Sequence, residues 1–249
     1  MDSERFQHAV ALRDTGNEED ALREFEALAD LESDPHEKAD LIGNQANCLS
    51  RLGRLKEARQ RLSKAERIGG PSPFRDFLDA YMTVTEGNRE EAVEKLTVAL
   101  RKHRDLKESD HRKAYFDAQD ELAWLLYGLG RYADAVSAFE EALTSAAGDQ
   151  HKKLSCYLGI CYYKTGKLKD AEEKLIQSLP DSPADSWWFS AQYELGCTYF
   201  GQGAYVKAKK TFELCAFYVN ENDVEMKENV SRWLAETRVK LGERGNPVH

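Results

Sequence analysis

Six glycines frame this chain: Gly16, Gly53, Gly87, Gly130, Gly166 and Gly203, spaced 37, 34, 43, 36 and 37 residues apart. A chain that returns to one turn at such a period folds as an array of like units. Each glycine brings the same companions. Alanine follows five residues later in every unit, at Ala21, Ala58, Ala92, Ala135, Ala171 and Ala208. Seven residues earlier stands Ala9, Ala46, Ala80, Ala123, Gly159 or Gly196, and nine residues later Phe25, Leu62, Leu96, Phe139, Leu175 or Phe212. The slot twelve residues on is small at Ala65, Ala99, Ala142, Ser178 and Cys215, with Leu28 the exception. These offsets are helical, so each unit reads as two helices, A and B, joined at glycine. Glycine reaches the positive φ that ends A and starts B. The small residues let the two backbones cross closely, and the large one fills the groove between them.

This pattern resembles the tetratricopeptide repeat over about 2–222. The resemblance implies an all-α fold, a right-handed α–α superhelix of about six helix-turn-helix repeats. They fall at about 2–35, 39–72, 73–106, 116–149, 152–185 and 189–222, in a single domain over 1–249. A last helix at about 223–241 carries Val230, Trp233, Leu234 and Val239 on one side and serves as the cap. Breakers stand at Gly69-Gly70-Pro71-Ser72-Pro73 and Leu179-Pro180-Asp181-Ser182-Pro183, and Gly245-Asn246-Pro247 reads as a tail. The widest spacing places extra residues at about 101–111, as a lengthened helix B plus loop.

Charge narrows the partner class. The formal net charge is −9, which argues against general nucleic-acid binding. Residues 1–40 hold 13 Asp/Glu against four Lys/Arg, while the rest is balanced at 31 each. The segment 51–67 has the opposite bias, with Arg51, Arg54, Lys56, Arg59, Arg61, Lys64 and Arg67. Its cations can neutralise part of the acidic first repeat. Five cysteines, an odd number inside apolar helical patterns, read as buried thiols of a reduced compartment. There is no secretory signal and no apolar run of membrane-spanning length, so the expected location is cytoplasmic.

Motifs for chemistry are weak. Gly128-Leu129-Gly130-Arg131-Tyr132-Ala133 has the spacing of a dinucleotide fingerprint, but follows a helical pattern where that site needs a strand. His103, Asp110 and His111 lack metal-ligand spacing and read as loop residues. No catalytic residue, cofactor or metal is expected, and the protein is read as a non-enzyme. The repeats leave no stretch long enough for a separate catalytic domain.

By resemblance, the concave face is lined by A helices and binds a peptide or protein segment. The lining residues expected are Tyr81, Asp117, Asp120, Glu121, Trp124, Tyr157, Tyr193 and Glu194, with Phe74, Phe77, Leu78, Ile160 and Cys197 nearby. Aromatic rings give contact area at low entropic cost. The acidic trio Asp117, Asp120 and Glu121 favours a basic or apolar ligand. Packing between neighbouring A helices is the other reading of the aromatics. Asn44 and Asn47 fit a clamp for a terminal carboxylate, but the flanking repeats offer Phe6, Val10, Phe74 and Leu78 instead of its cations. Trp187-Trp188-Phe189 cannot all face one core, so Trp187 and Trp188 form a second candidate contact, for self-association. The alternatives to a scaffold are a ligand- or peptide-responsive regulatory sensor and a homo-oligomeric structural adaptor.

Overall fold

A computed structural model describes residues 3–108, 112–179, 187–220 and 222–243. Among these residues there are thirteen α-helices and no strand, the all-α repeat superhelix class. The pairs are α1 (Ser3–Asp14) with α2 (Glu18–Leu31), α3 (Pro35–Arg51) with α4 (Leu55–Gly69), and α5 (Pro73–Thr85) with α6 (Arg89–Lys102). They continue with α7 (Arg112–Gly128) and α8 (Tyr132–Leu143), α9 (Gly148–Lys164) and α10 (Leu168–Ser178), then α11 (Trp188–Gly201) and α12 (Tyr205–Tyr218). A final helix, α13 (Val224–Lys240), packs on α12 and α11. The chain divides into two compact units, Met1–Ala118 and Gln119–His249, and the division falls within α7.

The turn chemistry explains the sequence period. All six turn glycines have positive φ, from 73° at Gly130 to 86° at Gly87. At Gly130, the glycine N–H donates to the Tyr127 carbonyl and the Arg131 N–H donates to Leu126, which closes α7. The Arg131 carbonyl then accepts from Ala135 N–H at 2.9 Å, the first bond of α8. One residue thus ends one helix and begins the next, which fixes the alanine five places after each glycine. Side chains add nothing at Asn17 and Asn88, which start α2 and α6 without a side-chain cap bond.

The small and large slots meet. The six alanines five places after the turn are fully buried, as are Phe25, Phe139, Leu175 and Phe212. A Cβ placed on Gly196 would lie 2.6 Å from Phe212 Cε1, and one on Gly159 2.8 Å from Leu175 Cγ. Where the large residue presses hardest, glycine replaces alanine. Burying each such ring or leucine contributes about 2–3 kcal/mol, repeated along the array.

Two expectations change. Helix α6 is not lengthened; it stops at Lys102 and a 3-10 turn, Arg104–Glu108, follows. His103 stands at the stop: its N–H makes the last helical bond to the Ala99 carbonyl, and its buried ring lies 2.6 Å from Asp76 Oδ2 and edge-on to Phe77. In α13 Val230 is buried and Trp233 and Leu234 are half-buried, but Val239 is 73% exposed. Thr237, one turn after Trp233, takes the inward place. Asp110, His111, the breaker at 180–183 and the tail at 245–247 lie outside the described residues.

Candidate functional site

The A helices of the first unit enclose a groove of about 600 Å³ between α3, α5 and the start of α7. Phe74, Tyr81 and Leu106 line it, with Asp40, Arg51 and Asp117 among its polar residues. Phe77 and Leu78, expected in the lining, are 3% and 4% exposed; they belong to the core and form the floor. The geometry is held by Arg75, only 2% exposed, whose guanidinium donates to Asp40 Oδ1 at 2.6 Å and to the Gly70 carbonyl at 2.8 Å. That arginine ties the Gly69–Pro73 turn to α3 and sets the orientation of the Asp40 carboxylate. Asp117 is exposed and pairs with Lys113 at 2.6 Å, and Arg51 pairs with Glu18. Asn44 is engaged as well, accepting a hydrogen bond from Arg13 at 2.7 Å.

The first unit carries several ion pairs between neighbouring repeats. Arg51, Arg54 and Arg61 reach Glu18, Glu19 and Glu26 of the preceding repeat. Arg59 bridges Asp79 and Glu86. Burial opposes ionisation of Asp76, but hydrogen bonds from Lys102 and His103 hold it below its ordinary 3.8.

The second unit is built differently. Trp124 is half-buried, with ring centroids 4.4 Å from Tyr157 and 5.5 Å from Phe139. Tyr127 joins this cluster, 5.0 Å from Tyr157 and 5.7 Å from Tyr132. Sequence reasoning passed over Tyr127, although its three-residue offset from Trp124 puts it on the same helix face. Further along, Tyr193 accepts a hydrogen bond from Trp233 Nε1 at 3.0 Å, and Trp233 stacks on Phe212. The expected aromatics therefore do both things considered for them: they pack between A helices, and Trp124, Tyr157 and Tyr193 keep part of their surface exposed. Ile160 and Cys197, by contrast, are core at 2% and 3%.

Carboxylates on this face are poorly compensated. Burial raises the pKa of Glu121, and neighbouring Asp120 raises it further. Burial also raises Glu194, and Lys164, at 3.4 Å, offsets only part of that. The aromatic run at 187–189 divides. Trp188 is 5% exposed beneath Tyr218 and offers no contact surface; Trp187 is half-buried and donates from its indole to the Ser178 carbonyl at 3.2 Å. All five cysteines are buried free thiols, and burial pushes Cys156, Cys161 and Cys215 up to about 12. No described helix is long and apolar enough to cross a membrane.

An array of tightly joined helix pairs with an open lining of A helices defines a helical-repeat protein. Residues 3–66 and 121–186 each match a family model described as the tetratricopeptide repeat. The chain is a tetratricopeptide repeat protein, with no subfamily marked. Its fold is similar to a chain in the structure of Naa15/Naa10 bound to HypK-THB, at 20% identity and a TM-score of 0.60, over 96% of this chain and 34% of that one. It thus spans about a third of that chain's length. It is also similar to YrrB, a repeat protein with an unusual peptide-binding site, at 19% identity and a TM-score of 0.62, over 78% and 92% of the two chains. A third similarity is to a signal-transduction ATPase with a tetratricopeptide repeat sensor from Pyrococcus horikoshii, at 16% identity and a TM-score of 0.66, over 96% and 39%. At these identities the likeness is one of fold. The search of curated proteins gave no match.

Proposed function

We propose that this chain is a non-enzymatic interaction scaffold whose A-helix faces hold a peptide or a segment of a partner protein. The observation that carries the reading is the groove of about 600 Å³ lined by Phe74, Tyr81 and Leu106 in the first unit. A volume of that size suits a few side chains, and half-exposed aromatics on rigid helices are the usual anchors of such contacts. The half-exposed Trp124, Tyr157 and Tyr193 extend the same chemistry to the second unit. Asp117, Asp120, Glu121 and Glu194 favour a basic or apolar segment over an acidic one. The peptide-binding site named for the similar YrrB structure agrees with this reading. A cytoplasmic location belongs to the same proposal.

The test is selection of peptides from a displayed random library against the full chain, followed by affinity measurement. Tyr81→Ala and Trp124→Ala are expected to weaken a selected peptide by about 2 kcal/mol at whichever face it occupies. Failure to select any peptide, or unchanged affinity in both variants, would overturn the assignment.

A further inference from the structure

This inference rests on the scaffold reading and names what the second unit selects. Glu194 sits on α11 with its side chain 13% exposed. One carboxylate oxygen, Oε2, is buried and accepts no hydrogen bond from the described residues. The other faces Lys164 at 3.4 Å, longer than the roughly 2.8 Å of a well-formed charge-assisted bond. The carboxylate is therefore desolvated and only half-answered.

Rings of the second unit already hold cations. Lys164 Nζ lies 5.1 Å from the centroid of Tyr163, and Lys153 Nζ lies 5.0 Å from that of Trp124. Both fall inside the distance of about 6 Å at which a ring attracts an ammonium group. Each of these lysines reaches in from α9 on a long, flexible stem, and both side chains are open to solvent. On α7, half-buried Glu121 has no cation beside it among the described residues, and Asp120 repels it.

We propose that the A-helix face of the second unit selects a lysine or arginine side chain from a segment of a partner protein, and that Lys164 keeps that place until the segment arrives. A guanidinium or ammonium would give Glu194 the close hydrogen bonds that Lys164 leaves unmade, while its stem lies on Tyr163 and Tyr193. An apolar side chain would bury the carboxylate further without answering it. An acidic one would meet the Glu194 carboxylate.

The experiment uses four sets of synthetic hexapeptides, alike except for a central Arg, Lys, Leu or Glu, titrated into the full chain by fluorescence anisotropy. The Arg and Lys sets are expected to bind at least tenfold more tightly than the Leu set. Glu194→Gln, which keeps the shape, should abolish that preference. Lys164→Met should tighten the basic peptides several-fold and leave the Leu set unchanged, an effect that a merely structural Lys164 would not give. Helicity of each variant is checked by circular dichroism, and if Glu194→Gln fails to fold then Lys164→Met decides. Equal binding of the Leu set, or basic peptides weakened by Lys164→Met, overturns this inference and leaves the scaffold reading standing. Binding of no set at all overturns this inference, while the library selection decides the scaffold reading separately.

Discussion

The two units share one repeat and treat the carboxylates of their inner helices differently. In the first, several acids on the inner helices have a cation in reach: Asp40 with Arg75, Asp76 with Lys102, Asp79 with Lys95 and Arg59. In the second, Glu121 and Glu194 are drawn into an aromatic lining with little compensation, and burial raises both. The same helical frame therefore offers two kinds of surface. A groove whose charges are already paired recognises shape and apolar area. A lining that leaves a carboxylate half-answered recognises a cation.

Glycine-to-alanine changes give the largest contrast. Gly196→Ala in α11 drives a Cβ to 2.6 Å from fully buried Phe212, which has nowhere to move. Overpacking of about 1–3 kcal/mol exceeds the roughly 1 kcal/mol that alanine contributes to helix propensity. Unfolding in urea is expected to show a net loss of up to about 2 kcal/mol. Gly43→Ala in α3 meets the ring of half-buried Phe74 at 2.7 Å, and that ring can swing into the groove. Its stability should stay within about 0.5 kcal/mol of the starting protein, while affinity for a groove-bound peptide falls. Equal losses in the two variants would remove the distinction between the units.

Acidity gives the next contrast, with opposite signs. The folded state raises Glu194 above its ordinary 4.5, so it binds a proton more readily than the unfolded chain. Its contribution to stability is best at low pH and is lost as pH rises through the folded pKa. Glu194→Gln is therefore expected to be more stable than the parent at pH 7 and no more stable at pH 4. Asp76 is held below 3.8, so its contribution is present above that value and lost as pH falls through the folded pKa. Asp76→Asn should be less stable at pH 7, with the deficit shrinking under acid. All four tryptophans lie in the second unit. Their fluorescence follows that unit alone, while circular dichroism follows both. The smallest effect belongs to Asp117→Asn, which breaks an exposed pair with Lys113 and should change stability by less than about 0.5 kcal/mol.

Much of the fold was legible because its cause is local. A positive-φ glycine, the residue that starts the next helix and the alanine that makes its first hydrogen bond are neighbours in sequence, so the period is written in the chain. The missing extension of α6 was not legible, and neither was the contact at its end between His103 and Asp76, on the preceding helix. Val239 failed for a simpler reason: its side chain fits the pattern by type, but Thr237 holds the correct angle from Val230. At the candidate site the residue types were readable and their partners were not. Nothing in the sequence separates Phe77, which is floor, from Phe74, which is wall. Nothing in it tells that Arg75 is buried to hold Asp40, or that Trp188 lies under Tyr218 while Trp187 does not.

The central claim is that binding belongs to the A helices. Hydrogen–deuterium exchange of the full chain, with and without a peptide selected from the displayed library, tests it most directly. The account predicts added protection on the A helices alone, on α3 and α5 for a peptide in the first unit or on α9 and α11 for one in the second. Protection confined to the B helices, such as α4, α6, α10 and α12, would contradict it.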